Sequence, residues 1–249
     1  MKKHIPNFLT CCNLVCGSIG ILTILNFGAT DIDNPLLFAM TPAAVFVWIA
    51  LVFDFLDGFA ARTLKVSSPI GKELDSLADM VSFGLLPTVF MFDFIRHQSQ
   101  AAFTQEQYYS SAAMYLPFAA FVMVVFSALR LAIFNVDETQ KDSFRGLPTP
   151  ANALFITALP FLTFPGADIL LSPWGLVVIT LVFSLLLVSR MELFALKFKS
   201  FGWKENKIRF TFIILSVLLL AIFITAAIPL IILLYILLSL TDKAFLKKA

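Results

Sequence analysis

The chain has 249 residues, 59% of them hydrophobic and 14% charged, a balance too apolar for a water-soluble domain of that length. Its formal net charge of +2, with Lys and Arg set in short connections rather than along a stripe, gives nucleic acid no electrostatic footprint. Long apolar runs without the alternating ten-residue pattern of a barrel predict an all-α fold, a polytopic membrane helical bundle forming one domain over residues 1–249.

The first apolar run, about 8–27, follows Lys2-Lys3-His4 as a signal peptide would. Asn7 and Asn13 interrupt it and no small-residue cleavage site follows, so it reads as a retained span. Cys11, Cys12 and Cys16 lie on this run with no further Cys or His cluster to complete a metal site, and read as packing residues.

Further spans are expected at about 37–62, 73–95, 111–134, 150–168 and 173–190. The last stretch, about 210–240, would be about 45 Å long as one helix, too long for a hydrocarbon core of about 30 Å. Ala226-Ala227-Ile228-Pro229 offers a place to reverse, which favours eight spans over six or seven. Charge agrees. Lys2-Lys3, Arg62 with Lys65 and Lys72, Lys141 with Arg145, and the cluster from Arg190 to Arg209 share one side, expected to be cytoplasmic. The tail cations Lys243, Lys247 and Lys248 join them only if the number of spans is even.

Chemistry concentrates between Asp54 and Asp79. Asp54 and Asp57 are three apart at the end of one apolar run, about 60° apart on a helix; Asp75 and Asp79 are four apart at the start of the next, about 40° apart. A connection of about ten residues holding Pro69 and Gly71 would bring both pairs together. Crowded carboxylates at a membrane edge repel unless cations compensate, and oxygen-only ligands suit two divalent cations, Mg²⁺ or Mn²⁺. Gly58 and Ala61 would let a nucleotide approach the backbone, with Arg62 pairing a phosphate. The competing reading from another class is a cation transporter with the acids as relay, but such acids gather near the midplane at broken helices, not at one face beside an arginine.

This stretch resembles the CDP-alcohol phosphotransferase family, whose signature D-x2-D-G-x2-A-R-x8-G-x3-D-x3-D is complete here from Asp54 to Asp79. The resemblance implies a membrane enzyme, a homodimer, that displaces CMP from a CDP-linked lipid with two divalent metals. It implies that Asp54, Asp57, Asp75 and Asp79 are metal ligands, Asp79 serving also as general base, and that Gly58, Ala61, Arg62 and Gly71 line the CDP site. Pro6-Asn7-Phe8-Leu9-Thr10 with Asn13 is similar to the family's amino-terminal element, placing Asn7 and Thr10 by the nucleotide.

Two later segments, Arg130-Leu-Ala-Ile-Phe134-Asn135 and Phe144-Arg-Gly146-Leu147-Pro148-Thr149-Pro150-Ala151, are similar to segments of the membrane-embedded phosphatidylserine synthases. They imply CDP-diacylglycerol as donor and L-serine as acceptor, in the cytoplasmic membrane with the site facing the cytoplasm. Arg130, Lys141 and Arg145 would then pair with a lipid phosphate or with serine. Glycerol 3-phosphate or an inositol compound is the alternative acceptor. The chain departs from the pattern at Ile133, where many relatives carry a second basic residue. A covalent route would need a nucleophile such as His with a partner, and His4 and His97 are expected on opposite faces.

Overall fold

The computed structural model describes residues 4–27, 35–66, 68–137, 143–194, 202 and 206–246. The long apolar helix α1 (Ile5–Phe27) packs along α2 (Pro35–Leu64). Next comes a continuous rod made of α3 (Pro69–Asp79), a π-helical stretch over Met80–Leu85, and α4 (Leu86–Ala102). The rod is the centre of the molecule: Phe83, Phe90, Met91, Phe94 and Ile95 are fully buried on it. After a short α5 (Gln105–Ser110), a 3-10 helix (Ala112–Ala120) runs into α6 (Phe121–Val136), which packs on α9 (Pro173–Leu187).

The connection between α2 and α3 is shorter than the ten residues expected. It spans 65–68, because Pro69 and Gly71 open the helix instead of lying in the loop. The Ser68 side chain caps α3 by accepting from the Gly71 amide at 2.9 Å, and Pro69 occupies the first turn, where a missing N–H costs nothing. Two amides close α2: Val66 N–H donates to Ala61 at 3.0 Å and Lys65 N–H to Arg62 at 3.3 Å. This Schellman end puts Lys65 at φ 52, in the left-handed region where a glycine is usual.

Two other expectations are refined. The predicted 150–168 span is helical only as α7 (Thr149–Ala158) with a 3-10 turn at Leu159–Phe161, and Gly166 at φ 92 precedes the four-residue α8 (Ala167–Leu170). Residues 207–241 count as one apolar helical run of 35 residues by length and composition. The chain nevertheless reverses at Ile224, which adopts φ 51, giving α10 (Lys207–Phe223) and α11 (Ala227–Leu246). The rings of Phe212 and Tyr235 meet at 5.7 Å across the turn, so the two arms are antiparallel neighbours.

Beside these helices the described residues hold one small sheet. Strand β1 (Ser143–Arg145) pairs antiparallel with β2 (Glu192–Phe194), Arg145 standing opposite Glu192. Gly146 turns the chain out of β1 at φ 75, where an added Cβ would lie 2.2 Å from the Leu187 carbonyl. Among the described residues five stretches are long and apolar enough to cross a bilayer, the folded run 207–241 being taken as one, and the protein is an integral membrane helical bundle.

Close approach of α1 to the rod rests on Gly17. A Cβ there would sit 2.3 Å from Ser82 Oγ and 2.8 Å from Ser82 Cα. Gly17→Ala is expected to lower stability by about 1–3 kcal/mol, read as a lower thermal midpoint in detergent. Adding Ser82→Ala should restore little of it, since the backbone contact remains.

Candidate active site

The signature acids converge where α2 ends and α3 begins. Carboxylate oxygens of Asp54, Asp57 and Asp75 all lie within 4.8 Å of one another, a grouping that can hold a metal ion. Asp79, one turn beyond Asp75, stands outside that trio but within Coulombic reach of all three. Asp57 exposes the least surface of the four, 6%, and one oxygen of Asp75 is buried with no hydrogen-bond partner among the described residues.

Helix α1 roofs the cluster and holds it by hydrogen bonds that the acid spacing does not announce. The Thr10 hydroxyl lies 2.7 Å from Asp57 Oδ2 and 3.0 Å from the Pro6 carbonyl, its single proton serving one at a time. Asn13 donates from Nδ2 to Asp79 Oδ1 at 3.3 Å, while its own backbone carbonyl accepts from Ser82 Oγ at 2.9 Å. Ser82 lies in the π-helical stretch that begins directly after Asp79. Such stretches are frequent at functional sites because the wider turn re-aims neighbouring side chains.

A cleft of about 750 Å³ opens over Asp57 and Asp75, large enough for a nucleotide. Every residue singled out for the nucleotide reaches it: Asn7, Thr10, Gly58, Ala61, Arg62 and Gly71. The glycines have distinct reasons. A Cβ at Gly58 would meet Arg62 Nη1 at 3.3 Å, and one at Gly71 would lie 2.9 Å from both Asn7 Oδ1 and Ser68 Oγ. Lys65 and Lys72 also line the cleft, so three cations face the acids across it. Sequence reasoning had used those lysines only as markers of orientation.

Arg130 is buried, at 7% exposure, with its guanidinium 4.7 Å from the Phe134 ring centroid and within Coulombic reach of Asp79. It lines a second hollow of about 210 Å³, which Ile133, Asp137, Arg145 and Arg190 also reach. The Arg145 Nη1 to Asp137 Oδ2 separation there is 3.9 Å. Lys141 lies outside the described residues. Asp137 and Arg190 are additions that the sequence reading did not make. The two hollows are tied together: Asn135 donates to Ser76 Oγ at 2.7 Å, and Lys72 Nζ donates to the Asn135 carbonyl at 3.2 Å.

His97 belongs elsewhere. Its Nε2 is 3.5 Å from Asp93 Oδ2, and Arg96 bonds the same carboxylate. It lies 18 positions beyond Asp79 on the same rod, about 27 Å along a helix axis. Of the cysteines, Cys16 is buried as expected while Cys11 faces outward.

The membrane bundle thus gathers acids and cations round a nucleotide-sized cleft. Residues 3–186 match the family model CDP-alcohol phosphatidyltransferase, and the chain belongs to that family. It is 30% identical over 163 residues to the CDP-diacylglycerol–serine O-phosphatidyltransferase of Bacillus subtilis (strain 168), covering 64% of this chain and 76% of that one. It is 32% identical over 182 residues to the Saccharomyces cerevisiae protein of the same name, covering 70% of this chain and 59% of the relative. The archaetidylserine synthase of Methanothermobacter thermautotrophicus is 29% identical over 159 residues, 62% of this chain and 56% of the relative.

Thr10→Val removes the hydroxyl that braces Asp57 while keeping the side-chain volume. The affinity of the acid cluster for Mn²⁺ is expected to fall by about tenfold, measured in detergent from the free-ion paramagnetic resonance signal.

Proposed function

We propose that this chain transfers the phosphatidyl group of CDP-diacylglycerol to the hydroxyl of L-serine, releasing CMP, by direct displacement at phosphorus. The observation that carries the reading is the convergence of Asp54, Asp57 and Asp75 under a cleft rimmed by Arg62, Lys65 and Lys72. The names of relatives at about 30% identity supply the donor and the acceptor.

Asp54, Asp57, Asp75 and Asp79 would hold two divalent cations, Mg²⁺ or Mn²⁺. The donor set fits: it is all carboxylate oxygen, it converges, and an oxygen of Asp75 is buried without a partner. When bound, such ions neutralise pyrophosphate charge and stabilise the CMP leaving group. Arg62 pairs with the donor's phosphates, and Gly58 keeps that surface low so the nucleotide lies against the helix. Asn7, Thr10, Ala61 and Gly71 shape the rest of the nucleotide bed.

Asp79 takes the proton of the serine hydroxyl as its oxygen forms the new bond to phosphorus and the bond to CMP breaks. Asn13 fixes one Asp79 oxygen, which orients the other toward the acceptor. Arg130 and Arg145 meet the anionic group of the acceptor or of the lipid. The site faces the cytoplasm of a prokaryotic-type cytoplasmic membrane, because Arg62, Lys65, Lys72, Arg145 and Arg190 crowd this end of the bundle and cations accumulate on that side.

The test is CMP release by purified protein in detergent with CDP-diacylglycerol and Mn²⁺ or Mg²⁺, comparing serine with glycerol 3-phosphate and inositol. Serine-dependent release that needs the metal is expected, with Asp79→Asn lowering kcat by at least about 100-fold. Release with another acceptor alone would replace serine, and no release with any acceptor would overturn the transferase reading.

A further inference from the structure

The hollow beside the acids carries both signs of charge. Arg130, Arg145 and Arg190 line it, and so does Asp137, the residue that caps the end of α6. Arg145 and Asp137 face one another at 3.9 Å, about 1 Å longer than a close charge-assisted contact. Arg145 keeps 54% of its side-chain exposure and Asp137 21%. At about 210 Å³ the hollow has room for about seven waters' worth of liquid, the scale of a molecule of seven heavy atoms rather than of a nucleotide. Buried Arg130 lines it, and Asn135, between the lining residues Phe134 and Asp137, donates to Ser76 Oγ at 2.7 Å on the helix that carries Asp75 and Asp79.

We propose that this hollow is an α-amino-acid site in which Asp137 accepts the ligand's α-ammonium while Arg145 and Arg190 hold its α-carboxylate, making Asp137 a specificity-determining residue. The inference rests on the transferase reading and deepens it. A guanidinium pair alone would accept any anionic acceptor, phosphorylated alcohols included. A carboxylate in the same hollow repels a phosphate dianion and rewards a ligand with a cation next to its anion. Ile133 contributes an apolar wall at this point, and the cations come from Arg145, the last residue of β1, and Arg190, just before β2.

Two truncated analogues separate the roles. 3-Hydroxypropionate is serine without the ammonium, and ethanolamine is serine without the carboxylate. Each is used as a competitor of serine in the CMP-release assay, with wild type, Asp137→Asn and Arg145→Gln. For Asp137→Asn the serine KM is expected to rise by about tenfold while the 3-hydroxypropionate inhibition constant falls, because the neighbouring negative charge is gone, and the CDP-diacylglycerol KM stays unchanged. For Arg145→Gln the serine KM and the 3-hydroxypropionate constant should rise together while that of ethanolamine stays put. Asp137→Glu, which keeps the charge, should recover most of the serine affinity.

A serine KM that does not move in Asp137→Asn, or that moves in step with the 3-hydroxypropionate constant, would overturn the ammonium assignment. Absence of serine-dependent release by the wild type would instead remove the transferase reading and this inference with it.

Discussion

Bringing four carboxylates to one end of an apolar bundle is the constraint on which the rest of the architecture depends. Like charges at the edge of a low-dielectric region repel strongly, and a helix pair left to itself would splay to let water between them. Here α2 and α3 are joined by four residues and locked at both sides of the join, by a Schellman end at Lys65 and a serine cap at Ser68. That short, capped join fixes the separation of Asp57 from Asp75 before any ligand arrives. Helix α1 then closes over the acids through Thr10 and Asn13, and it can lie close enough only because Gly17 has no side chain against Ser82.

The same constraint explains the cations. Arg62, Lys65 and Lys72 stand round the larger cleft and Arg130 behind Asp79, so that the acids and their counter-charges form one electrostatic unit. Surface pairs of this kind add little to stability on their own. Their arrangement matters as a field: a rim of positive charge over a negative floor attracts a ligand that is a polyanion at its periphery and can share cations at its core. The Ser76–Asn135–Lys72 bridge holds the α3 side of this unit in register with the end of α6, where the second hollow begins.

How much of this was legible in the sequence follows from the range of each interaction. Asp54, Asp57, Asp75 and Asp79 were readable because helical spacing alone decides which faces they share, and the wall residues Gly58, Ala61 and Arg62 sit within a turn or two of them. The split of the last apolar stretch was readable from length, and the contact of Phe212 with Tyr235 shows where it folds. The shorter join was missed because Pro69 and Gly71 are as much at home in a helix's first turn as in a loop. The early end of α7 is marked locally by Pro160, which the span length of 150–168 overrides, whereas the β1–β2 pairing depends on partners far along the chain, Arg145 standing opposite Glu192. Asp137 and Arg190, just beyond the ends of the packed helices α6 and α9, share a hollow through that long-range packing.

The family match stops at residue 186, just before the segment that walls the second hollow. Beyond it, the Tyr235 hydroxyl donates to the Phe194 carbonyl at 2.9 Å, and the rings of Phe194, Phe212 and Tyr235 pack on one another with centroids 4.9 to 5.8 Å apart. The hairpin of α10 and α11 is thereby pinned to β2, and β2 through its ladder to β1 and Arg145. The cleft over the acids is built wholly from residues inside the matched region, whereas Arg190 comes from outside it, on a strand approach that the hairpin holds in place. A conserved reaction needs the first set unchanged in geometry. Under the proposal that the second hollow takes the acceptor, discrimination needs only that this second set can vary, and a wall held by a separate pair of helices can be rebuilt without disturbing the carboxylates.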